Sequence, residues 1–124
     1  MSVLRQLVRP RTAKQIEGDA GEQRALAYLR QQGLIELARN FRCKGGEIDL
    51  VMQEGEVLVF VEVRKRADRR FGGAAASVTA RKQARLVHAA QRYLQRYRRP
   101  PACRFDVVAI DGGEISWLKN AICG

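Results

Sequence analysis

The chain has one histidine, His88, and three widely spaced cysteines, Cys43, Cys103 and Cys123. That is too little clustered nitrogen and sulfur for a zinc site, and an odd number where a disulfide framework needs pairs. The cysteines are therefore expected to be reduced and structural. Long apolar runs are also missing, since none comes near the ~20 residues that span a bilayer. Residues 1–11 hold only short apolar pieces broken by Arg5, Arg9 and Pro10, with no small-residue cleavage site, so a secretory signal is not expected. These absences exclude a stapled scaffold, a zinc domain and a membrane-spanning helix; no membrane partner is expected, an anionic membrane surface being only a distant third reading of the charge, and the cytoplasm is the expected location. No internal repeat, zinc-finger pattern or recognition-helix pattern is present.

Acid is scarce in one block. Between Arg64 and Arg104 thirteen Lys and Arg stand against one acid, Asp68, a local balance of +12, while the other ten bases and twelve acids come to −2. The whole net charge of +10 therefore lies in that block. Such dense like charge repels itself unless it faces solvent or a polyanion, which points to nucleic acid as the partner.

At 124 residues the chain suits one core. Residues 1–13 read as a flexible basic leader and 14–124 as a single domain. The spacing predicts a helix over Lys14–Gln32 with an apolar stripe of Ile16, Ala20, Leu26, Ala27 and Leu29, Glu22 in its middle and Gly33 as its C-terminal cap. Strands are expected over Leu34–Cys43, Glu47–Gln53 and Val57–Arg64, joined by the glycine turns around Gly45-Gly46 and Gly55 into an antiparallel meander. Ala67–Ala76 reads as an aperiodic mobile loop. A second helix follows, capped by Ser77 or Thr79 and running to about Tyr97, with Leu86, Ala89, Ala90, Tyr93, Leu94 and Tyr97 inward. Cys103–Ile110 and a short edge strand, Glu114–Leu118, complete an α/β fold. Its order is α-β-β-β-α-β, with strands three and four parallel neighbours in a mixed sheet flanked by helices.

Two carboxylates interrupt this pattern. Glu62 follows Val57-Leu58-Val59-Phe60-Val61, and Asp49 lies among Ile48, Leu50 and Val51. An ionised carboxylate in such surroundings costs several kcal/mol unless a cation sits against it. Strand alternation puts Glu62 and Arg64 on one face with Leu58 and Phe60, Val61, Val63 and Lys65 on the other, and Glu47 with Asp49 on a common face. With Asp49 opposite Glu62, the pair suits one Mg2+ or Mn2+ with positions left for water and a phosphate. The alternative is a structural salt bridge of Glu62 with Arg64, or of Asp49 with an arginine.

A helix bearing Glu22, then GEIDLV, VFVEVR and SVTARKQARL, resembles the YraN-like family of bacterial proteins, over roughly Gly18–Ile110. That family is similar to the restriction-endonuclease-like PD-(D/E)xK nucleases, the archaeal Holliday-junction resolvases in particular. The resemblance implies a restriction-endonuclease-like core and hydrolysis of DNA phosphodiesters, at branched or repair intermediates, with DNA favoured over RNA. It implies Asp49 as the metal-binding Asp, Glu62 as the acid of the ExK element and Glu22 as the assisting first-helix carboxylate. Arg64 stands where the family has Lys. An arginine is always protonated and acts only as a fixed charge, which leaves Lys82, in the first turn of the second helix, as a candidate to reach the phosphate. Resolvase-like relatives act as dimers, so a homodimer is also implied.

Lys65, Arg66, Arg69 and Arg70 leave the third strand beside the proposed metal, and Arg81, Lys82 and Arg85 open the next helix, so one phosphate track is expected to meet them all. Three readings follow: a metal-dependent nuclease, a nucleic-acid-binding module of the same fold with weak or no hydrolysis, and an interaction protein whose basic helix docks an acidic partner.

Overall fold

A computed structural model describes residues 13–66 and 73–122, with side chains from Ala20 onward. The expected leader, except Ala13, lies outside the described residues, as do Arg69, Arg70 and Cys123. Helix α1, Ala13–Gln31, presents Glu22, Ala25, Leu26 and Leu29 at i, i+3, i+4 and i+7, and the last three are buried. Ala20 and Ala27, expected in that stripe, are exposed, because they lie off this row. Gly33, at φ 95°, ends the helix: its N–H reaches Arg30 O at 3.0 Å and that of Leu34 reaches Leu29 O at 3.1 Å.

Strands β1 (Ile35–Cys43), β2 (Gly46–Glu54) and β3 (Val57–Arg66) form the antiparallel meander. The chain then crosses over through a 3-10 turn, Ala75–Ser77, and helix α2, Ala80–Leu94, to β4, Cys103–Asp111, which lies parallel to β3. Strand β5, Glu114–Leu118, pairs antiparallel with β4 at the edge, giving the order β1-β2-β3-β4-β5. The fold is a mixed five-stranded α/β sheet with a helix on each face. Alternation along β3 separates two cores: Leu58 and Phe60 pack with Leu86, Ala89, Ala90 and Tyr93 of α2, while Val59 and Val61 pack with Ala25, Leu26 and Leu29 of α1. Each buried Leu, Val or Phe among them contributes about 1.5–3 kcal/mol.

Thr79 caps α2 through its hydroxyl, which accepts the Lys82 N–H at 3.3 Å. The helix stops at Leu94 rather than near Tyr97. The N–H groups of Gln95, Arg96 and Tyr97 turn to carbonyls three residues back, a tighter winding ahead of Pro100-Pro101. Within the segment expected to be a loop, Gly73 and Ala74 are packed. Ala74 is fully buried and gives its N–H to Asp111 Oδ1 at 2.6 Å, and Gly73, at φ 74°, lies so close that a Cβ there would stand 2.8 Å from the same oxygen. Residues 67–72 are outside the described chain. Among the described residues no helix is long and apolar enough to cross a membrane.

Candidate active site

Pairing between β2 and β3 ends at Leu50 with Val61, although β2 continues back to Gly46 along β1 and β3 continues to Arg66 along β4. The next residue on each strand is an acid, Asp49 on β2 and Glu62 on β3, so the two stand across the opening where the strands part. Val63 N–H, which has no β2 carbonyl there, is taken by Asp49 Oδ2 at 2.8 Å. Strict alternation does not hold at this point. Ile48 and Val51, three residues apart, pack into the same core, as do Ala38 and Phe41 on β1, with Asn40 between the latter pair at φ 51°. The expected common face of Glu47 and Asp49 rested on that alternation. All three acids are nevertheless electrostatic neighbours.

Glu62 is 9% exposed and meets Arg64, whose Nη1 is 3.6 Å from its Oε1. Arg64 Nε donates to Ser77 Oγ at 2.8 Å, and Ser77 in turn donates to Ala74 O at 2.5 Å. Glu47, Glu62, Arg64, Lys82 and Arg85 line a small cleft between β3 and α2. Helix and hairpin are held close here because Gly46 packs on α2 so tightly that a Cβ would run into the Arg85 carbonyl and touch Ala89.

The titration of these groups reports crowded negative charge. Burial, then the neighbouring Asp49, raises the Glu62 carboxyl to about 8, against the pull of Arg64. Burial raises Asp49 as well, with Glu47 adding to it and the Val63 N–H, Arg64 and a hydrogen bond with Glu62 opposing. Glu22 rises to about 7, first by burial and then by Asp49, although Arg42 and Arg39 pull it down. Its Oε1 is buried without a hydrogen-bond partner among the described residues. Lys82 is lowered, chiefly by burial and then by Arg64. Asp49 is thus the shared neighbour of Glu62 and Glu22, and the loose Glu62–Arg64 contact does not neutralise the cluster.

Carboxylate oxygens are the donor set of a hard dication, and an orphaned buried Glu22 oxygen beside Asp49 fits one. No three His, Cys, Asp or Glu among the described residues stand together as a complete ligand group, so Asp49 and Glu62 would leave other positions to water and phosphate. Of the expected cations, Arg64, Lys82 and Arg85 come together at the cleft. Arg66 and Arg81 are exposed. Lys65 does not join them: it leaves β3 on the opposite face, its stem 3.7 Å from where a Gly21 Cβ on α1 would stand.

Ser77, expected only as one of two candidate caps of the second helix, was not foreseen as the partner of Arg64, and Asp106 was not foreseen at all. The latter interrupts an apolar strand just as Asp49 does and is fully buried, yet it accepts hydrogen bonds from Arg104, from Trp117 Nε1 at 2.9 Å and from Asn120 N–H at 2.8 Å. A carboxylate in a strand is therefore no ligand signal by itself. Its partners decide, and Arg104 two residues before Asp106 on the same strand face was the readable clue.

A family model described as "Uncharacterised protein family UPF0102" matches residues 21–110. A UPF0102 protein of Herminiimonas arsenicoxydans is 70% identical over 116 residues, covering 94% of each chain. One from Janthinobacterium sp. (strain Marseille) is 68% identical over 115 residues, 93% of this chain and 94% of that one. One from Cupriavidus metallidurans is 56% identical over 114 residues, 91% and 85% respectively. The chain belongs to the UPF0102, or YraN-like, family.

Proposed function

We propose that this UPF0102 protein is a metal-dependent nuclease-like protein that binds DNA and hydrolyses its phosphodiester bonds, with Asp49 and Glu62 as ligands to one Mg2+ or Mn2+ and branched or repair intermediates as substrates. The observation that carries the reading is the undercompensated gathering of Glu62, Asp49 and Glu22 at the point where β2 and β3 part, beside Arg64 and Lys82. Mutual repulsion of this kind costs folding free energy, and a bound dication removes the cost. The α-β-β-β-α-β order, with the acids at the diverging ends of β2 and β3, supports counting the fold as restriction-endonuclease-like.

When bound, the cation supplies Lewis-acid stabilisation of phosphate charge and a more acidic water. Arg64, fixed through Nε by Ser77, turns its remaining N–H groups to the phosphate oxygens and stabilises charge building there. It never gives up its proton. Lys82, lowered by burial and by Arg64, is the amine that takes a proton from the attacking water. Glu22 approaches from the α1 side and orients water next to Asp49.

One observation favours a second reading. Arg64 replaces the usual lysine, which suits a nucleic-acid-binding module with little or no hydrolysis. A cleavage screen of duplex, flap, four-way-junction and single-stranded DNA with Mg2+ and Mn2+, beside Asp49→Asn, separates the two. The nuclease reading expects cutting that the variant loses while low-salt binding persists. Salt-sensitive binding with no cutting by either protein supports the module, and undiminished cutting by Asp49→Asn refutes the assigned ligand.

A further inference from the structure

Several cations elsewhere on the described surface have oxygen partners. Glu36 holds Arg30 and Arg39, Glu47 faces Arg42 at 4.0 Å, Glu54 serves Arg104 and Lys119, and Arg24 donates to Gly113 O. Arg81, Arg85 and Arg92 on α2 make no ion pair among the described residues, and neither do Lys44, Arg98 and Arg99. The sequence contains no Asp or Glu between residues 69 and 105 to supply one.

Positions 81, 85, 88 and 92 are spaced i, i+4, i+7 and i+11, which puts Arg81, Arg85, His88 and Arg92 on one flank of α2. His88 donates Nε2–H to Lys44 O at 3.0 Å, so that flank runs beside the β1–β2 turn and brings exposed Lys44 next to it. Arg85, one turn along the line, lies inside the cleft. Arg96 is not part of it. Its guanidinium lies over the Tyr93 ring, 3.7 Å from the centroid, and its Nε donates to Tyr93 O, so it anchors the end of the helix.

Like charges at i and i+4 repel along the helix, and although Arg85 shares its cleft with Glu47 and Glu62, no acid among the described residues pairs with Arg81 or Arg92 to offset that repulsion. A polyanion does. At ~1.5 Å per residue, Arg81 to Arg92 spans about 16 Å, the rise of about five nucleotides of a B-form strand at ~3.4 Å each. We infer that this flank of α2, with Lys44, is an extended phosphate track that takes one nucleic-acid strand outward from the cleft, so that the footprint lies mainly to one side of the reacting phosphate. The inference rests on the nucleic-acid reading above and deepens it: α1, on the other face, offers Arg30 already neutralised by Glu36.

The test is fluorescence anisotropy with labelled single-stranded DNA of about 2 nucleotides, too short to reach from the cleft to Arg92, and of about 20, bound by the full chain. Variants are Lys44→Glu, Arg92→Glu, their combination, the milder Lys44→Gln with Arg92→Gln, and Arg30→Glu as control. The Glu pair is expected to weaken the long oligonucleotide at least tenfold, leave the short one nearly unchanged and lower the salt slope by about two. The Gln pair keeps the same length selectivity with a smaller loss, which separates lost phosphate contacts from misfolding. If the wild type binds both lengths and the Glu pair behaves like Arg30→Glu, the track is wrong and the nucleic-acid reading survives. Wild type that binds no oligonucleotide sinks that reading and the track with it. Loss confined to phosphatidylserine vesicles assigns the flank to a membrane surface and overturns the proposal.

Discussion

Ser77 Oγ accepts the Arg64 Nε–H at 2.8 Å, so the cation beside Glu62 is held from behind by a buried hydroxyl two residues ahead of the α2 cap. The hydroxyl is itself pinned to Ala74 O. Arg64 is thereby positioned by the segment that starts α2, and the strand bearing Glu62 and the helix bearing Lys82 are linked through one side chain.

Ser77→Ala frees Arg64 Nε without removing the charge. A lost hydrogen bond to a charged group is worth about 1.5–3 kcal/mol, so on the proposed nuclease reading kcat for DNA cleavage is expected to fall at least tenfold with KM little changed, and Ser77→Thr to restore most of it. Steady-state kinetics on the three proteins decides. A fall in thermal stability with kcat intact would make Ser77 a packing residue only.

Glu62 and Glu22 have folded values of about 8 and about 7 against an ordinary 4.5. The folded chain therefore keeps protons that the unfolded chain has already lost, and metal-free stability must fall as pH rises from about 4.5 towards 8. Glu62→Gln, which mimics the protonated form, is expected to be more stable than wild type at pH 8, on the order of 1–3 kcal/mol. Urea unfolding at pH 5 and pH 8 without divalent ions checks both statements, and a wild type that gains stability over that range contradicts them.

On the proposed nuclease reading, Lys82 and Arg64 divide the cationic work at the cleft. Lys82→Arg keeps the charge but cannot release a proton, so it should bind DNA as wild type does while kcat falls at least tenfold and the alkaline-going rise of the rate disappears. Lys82→Ala should lose both binding and rate. Equal kcat in wild type and Lys82→Arg would confine Lys82 to phosphate attraction.

Gly46→Ala places a methyl against the Arg85 carbonyl and Ala89. Overpacking of this kind costs about 1–3 kcal/mol, and here it also pushes the β1–β2 turn away from α2, separating Glu47 from Arg85. Thermal unfolding should show the loss, whereas Gly55→Ala, with open space around it, should be affected only through its φ of 58°.

Much of this architecture was legible because local signals agreed. Alternation along Val57–Arg66 correctly put Glu62 and Arg64 on the face of Leu58 and Phe60, and the short glycine turns and the long crossover fixed which strands run antiparallel and which parallel. What escaped depends on tertiary partners. Ser77 lay in a small-residue stretch whose packing comes from Asp111, 34 residues later. The break in alternation at Asp49 is matched by Asn40 on the adjoining strand, at a positive φ that no apolar period reveals. Asp106 and Asp49 carried the same sequence signal, and only Arg104, Trp117 and Asn120 distinguish the satisfied acid from the strained one.

The most direct measurement is a Mn2+ titration at pH 8 of wild type, Asp49→Asn and Glu62→Gln, followed by calorimetry. Wild type is expected to bind one ion with release of protons, and each variant to lose that site at least tenfold while remaining folded. Equal Mn2+ affinity in all three proteins, or none in wild type, would contradict joint coordination by Asp49 and Glu62.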